Sequence, residues 1–314
     1  MSTPARARLR ELLSTGALVT APGVFDGISA ALVTRTGFEA AYLTGAGVAA
    51  AGFGLPDIGL VSQTEMVERA RMVTGVLGDL PLIADADTGY GAALNVVRTV
   101  REYERAGVAA LHLEDQAFPK RCGHLPDKEL IGVPEYLGKL HAALDARNDP
   151  DLVIIARTDA RGPLGLDAAI ERANRYADAG ADMIFVEAPQ SLAELARIAR
   201  EVPAPLLVNM VAGGLTPELA TERLAELGYR VAIHPGAALG AATGAMLHSL
   251  AALGGVDPKT LQPTGPSGFF ELVGLREWAA LGERYRTDGP DPTSERYRTD
   301  ESHPTDEQGA RAWA

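Results

Sequence analysis

One cadence constrains this chain more than any other feature: a short apolar run rich in β-branched residues, a polar or glycine-bearing turn, an amphipathic segment, and a glycine just ahead of the next run. It recurs through eight runs, Leu18–Pro22, Ala40–Thr44, Leu82–Asp85, Ala110–Glu114, Leu152–Arg157, Met183–Glu187, Leu206–Asn209 and Val231–His234. Short apolar runs bounded by turn residues predict strands buried on both faces. Between them Ala, Leu, Ile and Val recur at three- and four-residue steps over Thr64–Leu77, Ala92–Ala106, Leu166–Ala179, Ser191–Val202 and Pro217–Leu227, which predicts helices. Gly37, Gly78, Gly107, Gly180 and Gly228 stand where a helix end takes a left-handed residue. Thr64, Ser191 and Thr216 are placed as N-caps, with Glu194 completing a capping box and Pro217 in a first turn.

Such alternation closes into a (β/α)8 barrel or winds as an open parallel sheet. An open nucleotide-binding sheet carries a glycine-rich phosphate turn after its first strand, and Ala21-Pro-Gly-Val-Phe-Asp-Gly27 lacks that spacing. The Gly45-Ala-Gly47 pair does not supply it, so the TIM-type α/β barrel is expected, over 1–255. A helical extension over 256–286 and a polar, disordered tail over 287–314 are expected beyond it. Phe269, Phe270, Leu272, Val273, Leu275 and Trp278 give that extension an apolar stripe suited to a partner. The hexapeptide Glu-Arg-Tyr-Arg-Thr-Asp stands at 283–288 and again at 295–300, and is read as a duplication in a solvated segment.

With 29 Lys and Arg against 41 Asp and Glu, the net charge is −12 and no basic stripe offers a footprint for nucleic acid or anionic lipid. No apolar run is read as reaching ~18 residues without charge or breaker, and the Arg-rich start lacks the apolar core of a signal peptide. The single cysteine, Cys122, rules out an internal disulfide and a multi-cysteine zinc site. A soluble cytoplasmic protein acting on a small molecule is expected.

Barrel chemistry sits at the C-terminal ends of the strands. The third run ends Ala84-Asp85-Ala86-Asp87 and the fourth His112-Leu-Glu114-Asp115; strand period two puts Asp85 with Asp87, and His112 with Glu114, toward the mouth, and turns Asp115 away. These four suit a divalent cation of the Mg2+ or Mn2+ kind. Tyr42, Thr44, Gly45, Arg157, Asp159, Glu187, Asn209 and His234 end other runs. An Arg there binds a carboxylate or phosphonate through its fork, or forms a salt bridge to Asp159 or Glu187. After the fourth run comes Phe118-Pro-Lys-Arg-Cys-Gly-His-Leu-Pro-Asp127. Lys120, Arg121 and His124 are expected to lower the Cys122 thiol pKa, and Gly123, Pro119 and Pro126 to shape a loop that closes over the site. The thiol is then expected to shuttle a proton at neutral pH.

Tyr42-Leu-Thr-Gly-Ala-Gly47, Gly54-Leu-Pro-Asp57, Asp85-Ala-Asp87, Leu113-Glu-Asp-Gln116, Lys120-Arg-Cys-Gly-His124, Ala156-Arg-Thr-Asp159 and Val186-Glu-Ala188 follow in order. Together they resemble the isocitrate lyase/phosphoenolpyruvate mutase superfamily, in its 2-methylisocitrate lyase-like branch. The carboxyphosphonoenolpyruvate mutase branch is similar too, sharing the Lys-Arg-Cys-Gly-His loop and a segment like Asn209-Met-Val-x-Gly-Gly214.

The resemblance implies a homotetramer, a dimer of helix-swapped dimers. It implies Mg2+, or alternatively Mn2+, at Asp85, with Asp57, Asp87 and Glu114 holding its waters. A 2-oxo or 2-hydroxy acid would chelate the ion while Tyr42, Thr44, Gly45 and Ala46 contact its carboxylate and oxyanion. Arg157, helped by Glu187 and Asn209, would take a second acid group, and Cys122 would protonate the carbanion left by retro-aldol cleavage. Tyr42, Lys120, Cys122, His124 and Glu187 are the expected catalytic set, with Gly123 and His124 also against substrate. The implied activity is a carbon–carbon lyase; the alternatives are a P–C bond-forming mutase and a non-catalytic barrel that binds a small acid. Ala212 replaces the usual Glu of a Val-Glu-Gly-Gly segment, and His234-Pro-Gly-Ala237 replaces a usual Tyr-Pro-Leu-Ser. Both changes remove polar groups from the distal pocket, which points away from a tricarboxylate toward a substituted malate, oxaloacetate or a specialised metabolite.

Overall fold

The computed structural model describes residues 3–257, 263 and 265–285; the expected tail and the second copy of the hexapeptide lie outside the described residues. The chain divides into two compact units, 1–275 and 276–314. In the first, eight parallel strands close into a barrel in sequence order: β1 (Val19–Val24), β2 (Ala41–Leu43), β3 (Leu82–Asp85), β4 (Ala110–Glu114), β5 (Val153–Thr158), β6 (Met183–Val186), β7 (Leu206–Asn209) and β8 (Val231–His234). Helices α1 (Pro4–Ser14), α2 (Gly27–Arg35), α3 (Gly45–Phe53), α4 (Gln63–Leu77), α5 (Ala93–Arg105), α6 (Val133–Ala146), α7 (Arg161–Leu164) and α8 (Leu166–Asp178) precede β6. Then come α9 (Leu192–Glu201), α10 (Thr221–Leu227), α11 (Ala237–Gly254) and α12 (Gly265–Glu271), and α13 (Leu275–Arg284), which falls almost wholly in the second unit.

The strand period of two builds two cores. Val19, Ile83, Val153, Ile155, Met183, Phe185, Leu207 and Ile233 fill the barrel, while Leu43, Leu82, Leu111, Ile154, Ile184 and Val208 face the helices. At about 1.5–3 kcal/mol for each large side chain fully buried, these two layers dominate the stability. The inward row ends in polar residues: Ile83 then Asp85, His112 then Glu114, Ile155 then Arg157, Leu207 then Asn209. Register sets them side by side, Asp85 opposite His112 and Glu114 opposite Arg157.

All five glycines expected at helix ends have positive φ. Some boundaries move. The cap of α4 is Ser62 rather than Thr64, because Ser62 and Glu65 form a reciprocal capping box. Helix α10 starts at Thr221, not Pro217; Thr216 is buried with its hydroxyl unpaired, and Glu218 and Leu219 line a cavity instead. The Arg-rich start is helix α1, whose Leu9 packs into the barrel core and whose Arg6 donates to Asp149 at 2.8 Å. The expected amphipathic run Phe269–Arg286 is broken between α12 and α13, where Gly274 has φ 76°, and Phe270 is buried rather than free for a partner. Contrary to expectation, α11 is an 18-residue uncharged helix of mean hydropathy 1.3, long and apolar enough by length and composition to cross a membrane.

Barrel closure brings Gly23 of β1 against the loop after β8, where a Cβ would stand 2.1 Å from the Pro235 carbonyl oxygen. Gly23→Ala is expected to lower unfolding free energy by about 1–3 kcal/mol. An unchanged midpoint in denaturant titration would refute that close approach.

Candidate active site

Asp85 ends β3, and each of its oxygens accepts backbone hydrogen bonds or approaches a ring. Oδ1 accepts from Asp87 N at 3.0 Å, and Oδ2 from Gly45 N at 3.3 Å and the Tyr42 hydroxyl at 3.4 Å. The Tyr42 hydroxyl also lies 2.8 Å from His112 Nε2, with the two rings stacked. His112 is therefore engaged with Tyr42 rather than standing as a metal ligand, and burial pushes it down to about 4, so it is neutral. Asp87 reaches the mouth by a left-handed turn, φ 45°, rather than by strand alternation. Thr44 caps α3, accepting from Gly47 N at 3.0 Å, so the amides of Gly45 and Ala46 open a helix N-terminus at the mouth.

The loop after β4 folds over this floor. Its Lys120 ammonium bonds Asp57 and lies 2.7 Å from Asp87 Oδ1. Cys122 N donates to the Asp57 carbonyl at 3.0 Å, and the Gln116 side-chain amide both donates to and accepts from the Arg121 backbone. Gly123 has no room for a side chain: a Cβ would lie 2.5 Å from Glu187 Cγ and 2.7 Å from Arg157 Nη2. His124 Nδ1 accepts from Leu215 N at 3.0 Å, which leaves the ring proton on Nε2, 3.5 Å from Glu187 Oε1 and 3.4 Å from the Asn209 amide.

Arg157 is not a free fork. Its Nε and Nη2 donate to the two oxygens of Asp159 at 2.9 and 3.1 Å, Nη1 lies 3.1 Å from Glu114, and Nη2 3.4 Å from Glu187. Against burial, Arg157 and Lys128 hold the Asp159 carboxyl well below its usual range. Behind it, Asp115 points away from the mouth as expected and accepts from Thr158, Tyr176, Arg172 and Asp159 N. Lys128 and the hydrogen-bonding roles of Gln116 and Asp115 are not given by the sequence; Gln116, Asp115 and Thr158 stand there only as members of motifs.

Six carboxylates, Asp57, Asp85, Asp87, Glu114, Asp159 and Glu187, are buried here with three cations, Lys120, Lys128 and Arg157. The surplus shows in proton affinity. Burial, with Asp85 and Asp57 nearby, pushes Asp87 up to about 7 in spite of Lys120. Burial likewise raises Glu114 well above its usual value despite Arg157, and its Oε1 has no donor. Against burial, His112, Lys120 and Arg157 hold Asp85 below its usual value; with His112 neutral, the two cations carry that effect. Among the described residues no three His, Cys, Asp or Glu side chains converge as a ready ligand cluster. One ionised carboxylate, Asp85, ringed by carboxylates with spare acceptors fits a hard cation that keeps most of its waters, as Mg2+ does.

Cys122 overturns an expectation. Burial, reinforced by Asp57, pushes its thiol up to about 12. Lys120, already paired with two carboxylates, and the His124 backbone amide still favour the thiolate, but less than burial opposes it, and burial lowers His124 so that its ring adds no charge. The thiol is a proton donor at neutral pH.

Tyr42, Thr44, Ala46, Asp57, Asp85, Cys122, Gly123, His124, Arg157, Glu187 and Asn209 line one cavity of about 580 Å3. Gly45, Asp87 and Lys120 line a smaller space that Asp57 also borders, and Glu114 borders neither. The distal wall is largely apolar, with Met210, Ala212, Leu219, Leu239, Phe269 and Phe270; Glu218, His234 and Thr243 are its polar members.

Fold and site together define a (β/α)8 enzyme whose mouth gathers carboxylates, a paired guanidinium and a protonated thiol. The profile of the phosphoenolpyruvate phosphomutase family matches residues 9–253. Over 284 residues the chain is 46% identical to a 2,3-dimethylmalate lyase of Eubacterium barkeri, covering 90% of this chain and 98% of that protein. A solved oxaloacetate acetylhydrolase bound to 3,3-difluorooxalacetate is similar at TM-score 0.78 and 38% identity, over 89% of this chain and 96% of the other. A phosphonopyruvate hydrolase solved with oxalate and Mg2+ is similar at TM-score 0.70 and 31% identity, over 91% and 99%. The chain belongs to the phosphoenolpyruvate phosphomutase family, within the superfamily its motifs resemble, and is a carbon–carbon lyase of that superfamily.

A free cysteine of pKa ~8.5 is mostly ionised at about pH 9. Ultraviolet titration of the native protein is expected to show no thiolate absorbance from Cys122 at that pH; a thiolate signal near neutrality would contradict the site electrostatics.

Proposed function

We propose that this enzyme cleaves a 2-hydroxy dicarboxylic acid of the substituted-malate class to a 2-oxo acid and a second acid, with Mg2+ as cofactor. The observation that carries the reading is the protonated Cys122 thiol facing the same cavity as Asp85 and Arg157. Retro-aldol cleavage leaves electron density on the departing carbon, and that carbon takes a proton from Cys122 Sγ. The carboxylate surplus supplies a base for the carbinol proton. Tyr42 keeps its proton, since burial and then Asp85 raise it well above its usual value, and so donates to the developing oxyanion. Thr44 and the amide of Ala46 face a substrate carboxylate, while the Gly45 amide is held by Asp85. His124, fixed as a donor at Nε2, faces Glu187, which also accepts from the Asn209 amide, and the three stand around the second acid group beside Arg157. Mg2+ held at Asp85, with Asp57, Asp87 and Glu114 on its waters, would supply further charge stabilisation at the oxyanion.

The distal wall favours an apolar substituent over a third carboxylate, because Ala212, Leu219, Ala237 and Phe270 offer a buried anion no partner. Two of the relatives, a 2,3-dimethylmalate lyase and an oxaloacetate acetylhydrolase, are named for dicarboxylates, and several others for the tricarboxylate 2-methylisocitrate, so the reading rests on the wall. A homotetramer with swapped last helices and a cytoplasmic location belong to the same proposal; the exposed Met246, Leu250 and Leu253 on α11 support the first, and likeness to bacterial metabolic lyases the second.

The test is proton and phosphorus NMR of the protein with Mg2+ and a panel of 2,3-dimethylmalate, 2-methylisocitrate, oxaloacetate, phosphonopyruvate and carboxyphosphonoenolpyruvate. A substituted malate is expected to yield a 2-oxo acid, with Cys122→Ser losing turnover on the order of 100-fold or more. A change confined to P–C signals, or full activity in Cys122→Ser, would overturn the reading.

A further inference from the structure

Lys128 has no part in the chemistry above, yet it is buried at the foot of the loop that carries Cys122. Its ammonium donates to the Gly123 carbonyl, next to Cys122 in the chain, and to Asp159 Oδ1 at 3.0 Å. Asp159 follows β5 and receives Arg157 on both oxygens. One charged side chain from the end of the loop thus fastens its middle to a carboxylate on the barrel. The Lys128 chain packs against the start of α7, with Lys128 Cε 3.5 Å from a notional Cβ on Gly162, an ordinary van der Waals contact.

We propose that Lys128 is a latch, a positioning residue that holds the Cys122 loop closed and sets the direction of the thiol. Two charge-assisted hydrogen bonds form only with the loop down. When it lifts, Lys128 regains water, and Arg157 still neutralises Asp159, so no buried anion is stranded. The arrangement is reversible for that reason. A lysine bonded only to carboxylate would anchor the loop's foot; the bond to the Gly123 carbonyl ties down the tip. Its role in turnover rests on the function proposed above for Cys122, whereas the state of the loop can be read without any substrate.

Cys122 is the only cysteine of the chain, so iodoacetamide alkylation of the full-length protein, followed by intact mass, reports loop opening directly. Lys128→Met is expected to raise the alkylation rate about tenfold or more, the scale of a lost charged hydrogen bond. Lys128→Arg, which retains a cation, is expected to stay near the native rate. Should the methionine variant fail to fold, Lys128→Gln carries the same expectation. Alkylation of the neutral variants within about twofold of native, or an arginine variant as fast as a neutral one, would overturn the latch. Lower thermal stability with unchanged alkylation would also overturn it, by showing a merely structural lysine. Faster alkylation in the neutral variants alone, in a protein that cleaves no acid of the panel, would sustain the latch while the lyase substrate class fails.

Discussion

The barrel mouth depends on how a surplus of buried carboxylates is shared among too few cations. Lys120 takes Asp57 and Asp87, Arg157 takes Asp159 and stands against Glu114 and Glu187, and Lys128 completes Asp159. Low local dielectric makes each of these pairings strong and each missing one expensive. Burial first, and then the charge left over, raises the proton affinity of Asp87 and Glu114, and the same two causes keep Cys122 a thiol. One excess of negative charge thus prepares a seat for a hard cation and maintains a proton donor over it.

Closure of the loop is a second consequence. Lys120, His124 and Lys128 each bond a group outside the loop, on Asp57, on Leu215 and on Asp159 respectively. The loop therefore closes onto three walls of the mouth at once, and Gly123 must be glycine because its Cα rests against Glu187 and Arg157. The distal wall is built from different material, the segment after β7 and the first turns of α11. Its apolar side chains can change without disturbing the charged floor, and residues 212 and 237 sit there. Substrate class and reaction class thus belong to separate parts of one cavity.

The strands and the polar residues at their ends were legible in the sequence, because period two and barrel closure leave little choice once the apolar runs are placed. Helices were less so: Ser62 could be told from Thr64 only by the reciprocal bond with Glu65, and Pro217 sits in a loop claimed by the cavity. Charge state was misjudged for a physical reason. Lys120, Arg121 and His124 surround Cys122 in sequence, but the ammonium is already shared by two carboxylates and the imidazole is neutral, so burial, with Asp57, outweighs what they offer a thiolate. For Arg157 the sequence leaves a fork on an acid group and a salt bridge to Asp159 or Glu187 both open; the structure shows the salt bridges, and adds Glu114 from a third strand end. Lys128 gave no signal at all, since a lysine next to Asp127 in a polar loop is ordinarily a solvated one.

The charge surplus can be weighed directly. Calorimetric titration of the native protein with Mg2+ should saturate at one ion per chain, and Asp85→Asn should abolish binding while the fold persists. Absence of Mg2+ binding in the native protein, or equal binding in Asp85→Asn, would contradict the account.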